Sequence, residues 1–139
     1  MLGIVLVAHN NLAESIKSVA EHVAGPLPDV LCVSVKPEDD IEKKRNEIDQ
    51  KIKLADKGKG VVLLTDMFGG TPSNLAISLM QEGKVEVISG MNVPLLVKLI
   101  QLRRKTLSEA ISVSAESGRH YIMIASQFLG KKNDRKNNS

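Results

Sequence analysis

Two polar residues, each set directly behind an apolar run, are the groups in this chain best suited to chemistry. In "VLVAHNNLA" (residues 5–13), His9 ends the apolar run, and two asparagines and an amphipathic pattern follow. In "VVLLTDMFGGTPSN" (residues 61–74), Asp66 holds the equivalent place ahead of Phe68, Gly69, Gly70 and Thr71. If the two runs are neighbouring strands, their ends lie about 4.8 Å apart. A carboxylate at that distance accepts a hydrogen bond from one imidazole nitrogen, which fixes the tautomer. The other nitrogen is then unprotonated and faces solvent as a nucleophile. Gly69 and Gly70 bring backbone N–H groups close to a ligand, and Thr71 is the expected N-cap, with Pro72 in the first helical position. A loop of this kind, opening a helix with free donors and a positive dipole end, is an anion site. A second helix opening at Asn10–Asn11 aims at the same point. A histidine between two such helix starts is placed to carry a phosphoryl group.

Singly, these residues are commonplace. A histidine after a strand is ordinarily a loop residue, an aspartate there a cap or turn residue, and "GGTP" an ordinary loop-to-helix transition. Their coincidence at one sheet edge makes the candidate site. His22, near a helix C-terminus, and His120, ahead of the last apolar run, are given structural or surface roles. Other chemistries lack their signatures. Neither G-x-x-x-x-G-K-[ST] nor a G-x-G-x-x-G after the first run is present. The acidic pair that would hold magnesium in an aspartate-phosphorylated receiver is replaced by "AHNN". His9 and Asp66 are too few ligands for zinc, so no metal and no cofactor is expected. Cys32, the only cysteine, falls inside an apolar run and forms no Cys–His pair.

The elements that must position these residues alternate. β-branched runs at 2–8, 30–35, 60–65, 84–89 and 121–125 read as strands. The first and third are apolar at successive positions, the mark of strands buried on both faces of a parallel sheet. Between them lie helical faces: Leu12, Ile16, Val19 and Val23; Ile41, Ile48, Ile52 and Ala55; Leu75, Leu79 and Met80; Leu95, Leu96, Leu99 and Ile100; and Leu107, Ala110, Ile111 and Ala115, the last opened by Thr106 or Ser108. The alternation predicts a single-domain, doubly wound α/β fold with a mainly parallel sheet in flavodoxin-like order 2-1-3-4. Ligands in such folds sit beyond the carboxyl ends of the strands, where His9 and Asp66 fall.

Composition bounds the rest. With 139 residues, 42% apolar and 25% charged, the chain is one ordinary globular domain. The formal charge of +3 resides in the tail "KKNDRKNNS". A domain over 1–128 and a disordered basic tail over 129–139 are therefore expected. Aromatics at 2% and the absence of Trp argue against a stacking surface for nucleic acid. No stretch reaches the roughly 18 apolar residues of a membrane helix, and the opening lacks the basic region of a signal peptide. A cytoplasmic protein without direct membrane insertion is expected.

The segments "GIVLVAHNNLAESI", "VVLLTDMFGGTPSNLA", "VISGMNVPLLVKL" and "ESGR", in order from Leu2 to about Ala125, resemble the mannose-type (mannose/fructose) IIA domains of the bacterial phosphoenolpyruvate-dependent sugar phosphotransferase system. The resemblance implies that His9 is the histidine phosphorylated by the phosphocarrier HPr and that Asp66 orients it. It implies that Thr71 is the hydroxyl beside the phosphoryl group, with Phe68, Gly69, Gly70 and Asn10 around it and Met91, Asn92 and Pro94 near the same face. It further implies a phosphotransferase component, a carrier rather than a free-standing enzyme, that passes the group to a separate IIB component in sugar uptake. A homodimer made by exchange of the C-terminal strand is also implied. The alternative is a stand-alone regulatory relay whose His9 phosphorylation state controls a protein target. Two residues depart from the family pattern: Ala8 stands where Ser or Thr is common, and Asn10 where Gly is usual. Asn tolerates the left-handed region better than most non-glycine residues.

Overall fold

The computed structural model describes residues 1–130. The order of elements is β1 (Gly3–His9), α1 (Leu12–Ala24), β2 (Leu31–Val35), α2 (Ile41–Ala55), β3 (Val61–Thr65), α3 (Thr71–Ser78), β4 (Val85–Ser89), α4 (Val93–Gln101) and α5 (Leu107–His120). The four strands make one parallel sheet in the order β2-β1-β3-β4, as the alternation predicts.

The unbroken apolar character of β1 has a simple cause. Successive side chains leave a strand on opposite faces, and here both faces are covered. Ile4, Leu6 and Ala8 pack with Ala13 and Ala20 of α1, Leu95, Leu96 and Leu99 of α4, and Leu107 and Ala110 of α5. Val5 and Val7 pack on the other side with Ile48 and Ile52 of α2 and Leu75 and Ala76 of α3. A strand with no solvated face has no position for a polar residue until it ends, and β1 ends at His9. β4 has a strand neighbour on one side only, and its residues after Val85 are half-buried.

Three expectations need correction. The buried side of α1 is Ala13 and Ala20, with Ile16 packed beside them, whereas Leu12, Val19 and Val23 are exposed. Small residues let the helix lie close to the sheet and to α4, and the larger aliphatics are turned outward. Met80 likewise is exposed, because α3 already ends at Ser78, and Ile41 at the head of α2 is exposed too. The apolar run at 121–125 is not a strand: Tyr121 closes α5, residues 122–124 have no regular structure, and 125–130 are helical. A strand needs a partner to complete its ladder, and among the described residues this run pairs with none, although Ile122 shares a small cavity with Ile88 and Ser89 of β4. Residues 131–139 of the expected basic tail lie outside the described residues.

Candidate functional site

His9 is the last residue of β1, and Asp66 comes directly after β3, the strand beside it; Val7 pairs with Thr65 in the register just below. Asp66 Oδ2 accepts from the His9 ring Nδ1 at 2.7 Å and from the His9 backbone N–H at 3.0 Å. Its Oδ1 accepts from the Met67 N–H at 3.1 Å. An ionised carboxylate only accepts, so Nδ1 carries a proton, and in the neutral ring the lone pair is on Nε2. Burial alone pushes the Asp66 carboxyl upward, but the two His9 donors and the imidazole charge outweigh it and hold the group below the ordinary aspartate value. The side chain of His9 is 42% exposed and that of Asp66 11%. The arrangement presents the nitrogen and shelters the group that orients it.

The loop after Asp66 packs its backbone on the ring. A Cβ built on Gly70 would stand 3.0 Å from His9 Cε1 and 3.6 Å from Nε2, a contact tight enough that the ring would have to give by a few tenths of an ångström. Gly69 meets nothing, but its φ of 90° is left-handed and suits glycine. Phe68 projects into solvent with 77% exposure, beside an exposed Met67. The N-cap of α3 is Gly70, not Thr71, which is the first helical residue and exposed, with Pro72 behind it. Glycine takes the cap place because the backbone there lies against the imidazole.

The helix starts divide into two kinds. α2, α4 and α5 are capped by side chains, Asp40, Asn92 and Thr106 accepting from the third residue on in each case. α1 and α3, whose starts follow His9 and Asp66, have no side-chain cap. Their first-turn N–H groups keep their hydrogen-bonding capacity for something else, and the dipole at each start favours an anion.

Behind the loop lies a set of hydroxyls that the sequence did not reveal. Thr65 Oγ1 donates to Ser89 Oγ at 2.8 Å, and Ser73 Oγ lies 2.8 Å from the same atom. Thr65 and Ser73 are fully buried, so this chain ties the ends of β3 and β4 to the first turn of α3. The Thr65 carbonyl also accepts from the N–H groups of Gly90 and Met91. Asn92 caps α4 and donates to the Gly118 carbonyl at 2.9 Å. The segment containing Met91, Asn92 and Pro94 thus braces the loop after Asp66 from the side.

Other sequence candidates fall apart from this site. Ala8 is fully buried and offers the imidazole no donor. Asn10 takes a φ of 50°, the left-handed turn expected of it. Cys32 is half-buried under α1, and burial, with Glu14 next in effect, pushes its thiol up to about 11, which leaves it a poor nucleophile. His22 and His120 are exposed on α1 and at the end of α5.

The site is shallow. Grooves of about 870, 660 and 510 Å³ lie beside β4, at the end of α5 and at the far end of the sheet, and His9 lines none of them. Small-molecule sites are concave, whereas this nitrogen stands on a surface that a second protein can cover. No helix among the described residues is long and apolar enough to cross a membrane.

The chain is similar to known proteins over most of its length. The chain is 29% identical over 121 residues to the mannose-specific EIIAB component of the phosphotransferase system (PTS) of Escherichia coli, a match that spans 85% of this chain and 38% of that relative's length. It is 26% identical to the sorbose-specific EIIA component of Lacticaseibacillus casei, over 91% of this chain and 88% of the relative. The solved structure of a PTS component EIIA from Streptococcus agalactiae superposes with a TM-score of 0.82 at 25% identity, covering 91% of this chain and 99% of that one. The model of the family described as the PTS system fructose IIA component matches residues 3–116, from the first strand into the last helix, and the chain belongs to that family.

Proposed function

We propose that the protein is a phosphoryl carrier in which His9 accepts a phosphoryl group from phospho-HPr and passes it to a IIB component. The observation that carries the reading is the site itself: a solvent-facing Nε2 whose tautomer Asp66 holds at 2.7 Å, between two helix starts without side-chain caps. In the forward step the Nε2 lone pair attacks phosphorus in line, the bond from phosphorus to the donor's histidine nitrogen breaks, and that nitrogen keeps the electron pair. Positive charge develops on the His9 ring, and the Asp66 carboxylate stabilises it. The Gly69 and Gly70 amides, the first-turn amides of α1 and α3, and the hydroxyl of Thr71 are the donors available to the phosphoryl oxygens. Phe68 and Asn10 flank that position, and Phe68 with Met67 offers apolar surface to the docking protein. The second step reverses the first toward a histidine of the IIB partner.

Incubation with phosphoenolpyruvate, enzyme I and HPr, followed by mass spectrometry, tests this. The expected result is one acid-labile phosphoryl group on His9, absent from His9→Ala and discharged by a IIB component. An unmodified protein, or undiminished labelling of His9→Ala, refutes it. If the group enters but no IIB component discharges it, the regulatory alternative holds.

The same reading makes the protein a homodimer. β4 has an unpaired edge beside the 870 Å³ groove lined by Val87, Ile88 and Ile111. Ile122, Met123 and Ile124 are 77%, 49% and 61% exposed among the described residues. A run of that character is a liability as free surface and fits a second copy's open strand edge. Sedimentation velocity at micromolar concentration separates a dimer from the monomer that would contradict this.

A further inference from the structure

We propose that Ser34 is a positioning residue for His9, acting through the main chain of Asn10; the proposal rests on the carrier reading of His9. Among the described residues Asn10 is the one non-glycine position with positive φ, at 50°, and every other such position is a glycine. The left-handed region is disfavoured for L-residues, less so for Asn because its short side chain bonds locally. Something must hold it there.

Two hydrogen bonds do so, both from the end of β2. The Asn10 N–H donates to the Val35 carbonyl at 3.0 Å. The Ser34 hydroxyl donates to the Asn10 carbonyl at 2.5 Å. The first bond orients the peptide plane before Asn10 and the second orients the plane after it. Between those planes lie φ and ψ of Asn10, so the pair fixes both dihedrals. The plane before Asn10 also contains the carbonyl of His9, so the same bonds set how β1 ends.

His9 is therefore held from two sides. Asp66, after β3, binds its backbone N–H and its ring. β2 binds the residue that follows it. Ser34 pairs in register with Ala8 and is half-buried on the face of the sheet that α1 covers, under the turn it restrains. Among the described residues no other protein donor bonds the Asn10 carbonyl, so without the Ser34 hydroxyl the left-handed residue relaxes toward a commoner conformation. The peptide after His9 rotates with it, and Nε2 leaves the line of attack.

The test is a set of four variants: Ser34→Ala, Ser34→Thr, Asn10→Gly, and Asn10→Gly with Ser34→Ala. His9 phosphorylation is timed with phospho-HPr and, separately, with potassium phosphoramidate, a small donor that needs no protein docking. Ser34→Ala slows both reactions by about 3- to 10-fold, the span of one hydrogen bond. Ser34→Thr, which keeps the donor, stays within about twofold of wild type. In the Asn10→Gly background the loss of the hydroxyl has almost no effect, because glycine occupies positive φ unaided. Wild-type rates in Ser34→Ala, or an equal loss in the Asn10→Gly background, overturn the proposal. If neither donor labels wild-type His9, the carrier reading fails, and the ¹⁵N shifts of the His9 ring then decide the positioning role. They move in Ser34→Ala with Asn10 present and stay fixed with glycine there; shifts that are unmoved in both overturn it.

Discussion

Replacing Gly70 by alanine tests whether the imidazole and the loop are in contact as closely as the structure shows. The backbone of Gly70, at φ −84° and ψ 168°, is one that any residue adopts, so alanine brings no backbone strain. Its methyl would stand 3.0 Å from His9 Cε1, 3.5 Å from Met67 Cγ and 3.6 Å from Nε2. Carbon atoms prefer about 3.5–4.0 Å, so ring and methyl must separate by about 0.5 Å. Met67 is exposed and gives way. The ring, whose Nδ1 is held by Asp66 at 2.7 Å, can yield only by leaving its place. A misplacement of about 1 Å costs on the order of 100-fold in rate, so half that should cost about 10-fold. Stability should barely change. Gly→Ala at a compatible position gains about 0.4–1 kcal/mol through the unfolded chain, and a tight contact with a half-exposed ring takes back a similar amount. The assay is single-turnover phosphorylation of His9 beside a urea titration of the same preparation. A wild-type rate in Gly70→Ala refutes the contact, and a large stability loss refutes the assignment of the effect to the ring. Gly69→Ala is the control: its Cβ has open space but its φ is 90°, so it loses about 1–2 kcal/mol of stability instead.

Asp66→Asn removes the carboxylate charge and lets the side chain offer an NH2 as well as an oxygen to Nδ1, so the tautomer is no longer fixed, and transfer should fall by about 10²- to 10⁴-fold; ¹⁵N spectra of the ring should show the single tautomer lost, and an unchanged rate would remove Asp66 from its orienting role. The Asp66 carboxyl is held below its ordinary value, so its stabilisation is present above about pH 3.9 and lost as pH falls through the lower native value. The stability gap between wild type and Asp66→Asn should accordingly narrow in urea titrations at pH 3 relative to pH 6; a gap that widens toward acid contradicts the sign. Ser89→Ala leaves the buried hydroxyls of Thr65 and Ser73 without their shared partner and should cost about 1–3 kcal/mol. Ser73→Ala leaves Ser89 its bond from Thr65 and should cost less; equal losses in thermal melts would show that the hydroxyls are not a chain.

What could be read from the residues was what burial writes into them. β1 and β3 sit inside two packed faces, so their apolar runs had to be nearly continuous, and the polar residues His9 and Asp66 at their ends marked the candidate site. The neighbourhood of His9 and Asp66 followed once the strand order did. The faces of short elements were less legible. On α1 the spacing of Leu12, Val19 and Val23 imitates a core face, while Ala13 and Ala20 do the packing, because hydropathy counts side-chain size and close approach requires its absence. At the loop, Thr71 has the better cap chemistry, but Gly70, where a Cβ would press on the ring, takes the cap. The apolar run after α5 has strand composition, yet residues 122–124 have no regular structure and the chain turns helical from 125, an outcome that local composition does not record. Ser34, Ser73 and Ser89 gave no signal at all. A serine at a strand end looks the same whether it faces water or holds a neighbour's carbonyl.

On the proposed carrier reading, the place of His9 as the final residue of an interior strand, flanked by β2 and β3, bears on how its reactions would be timed. A nucleophile on a mobile loop has to find its geometry anew with each partner, and the search consumes entropy at the moment of collision. His9 arrives with its backbone already as ordered as the core. Little internal rearrangement is left to gate the exchange, so its speed should follow how often the right partner arrives and in what orientation. Discrimination between donor and acceptor then rests with the exposed rim at Met67 and Phe68, whose side chains can adapt to either visitor while the nitrogen between them stays put.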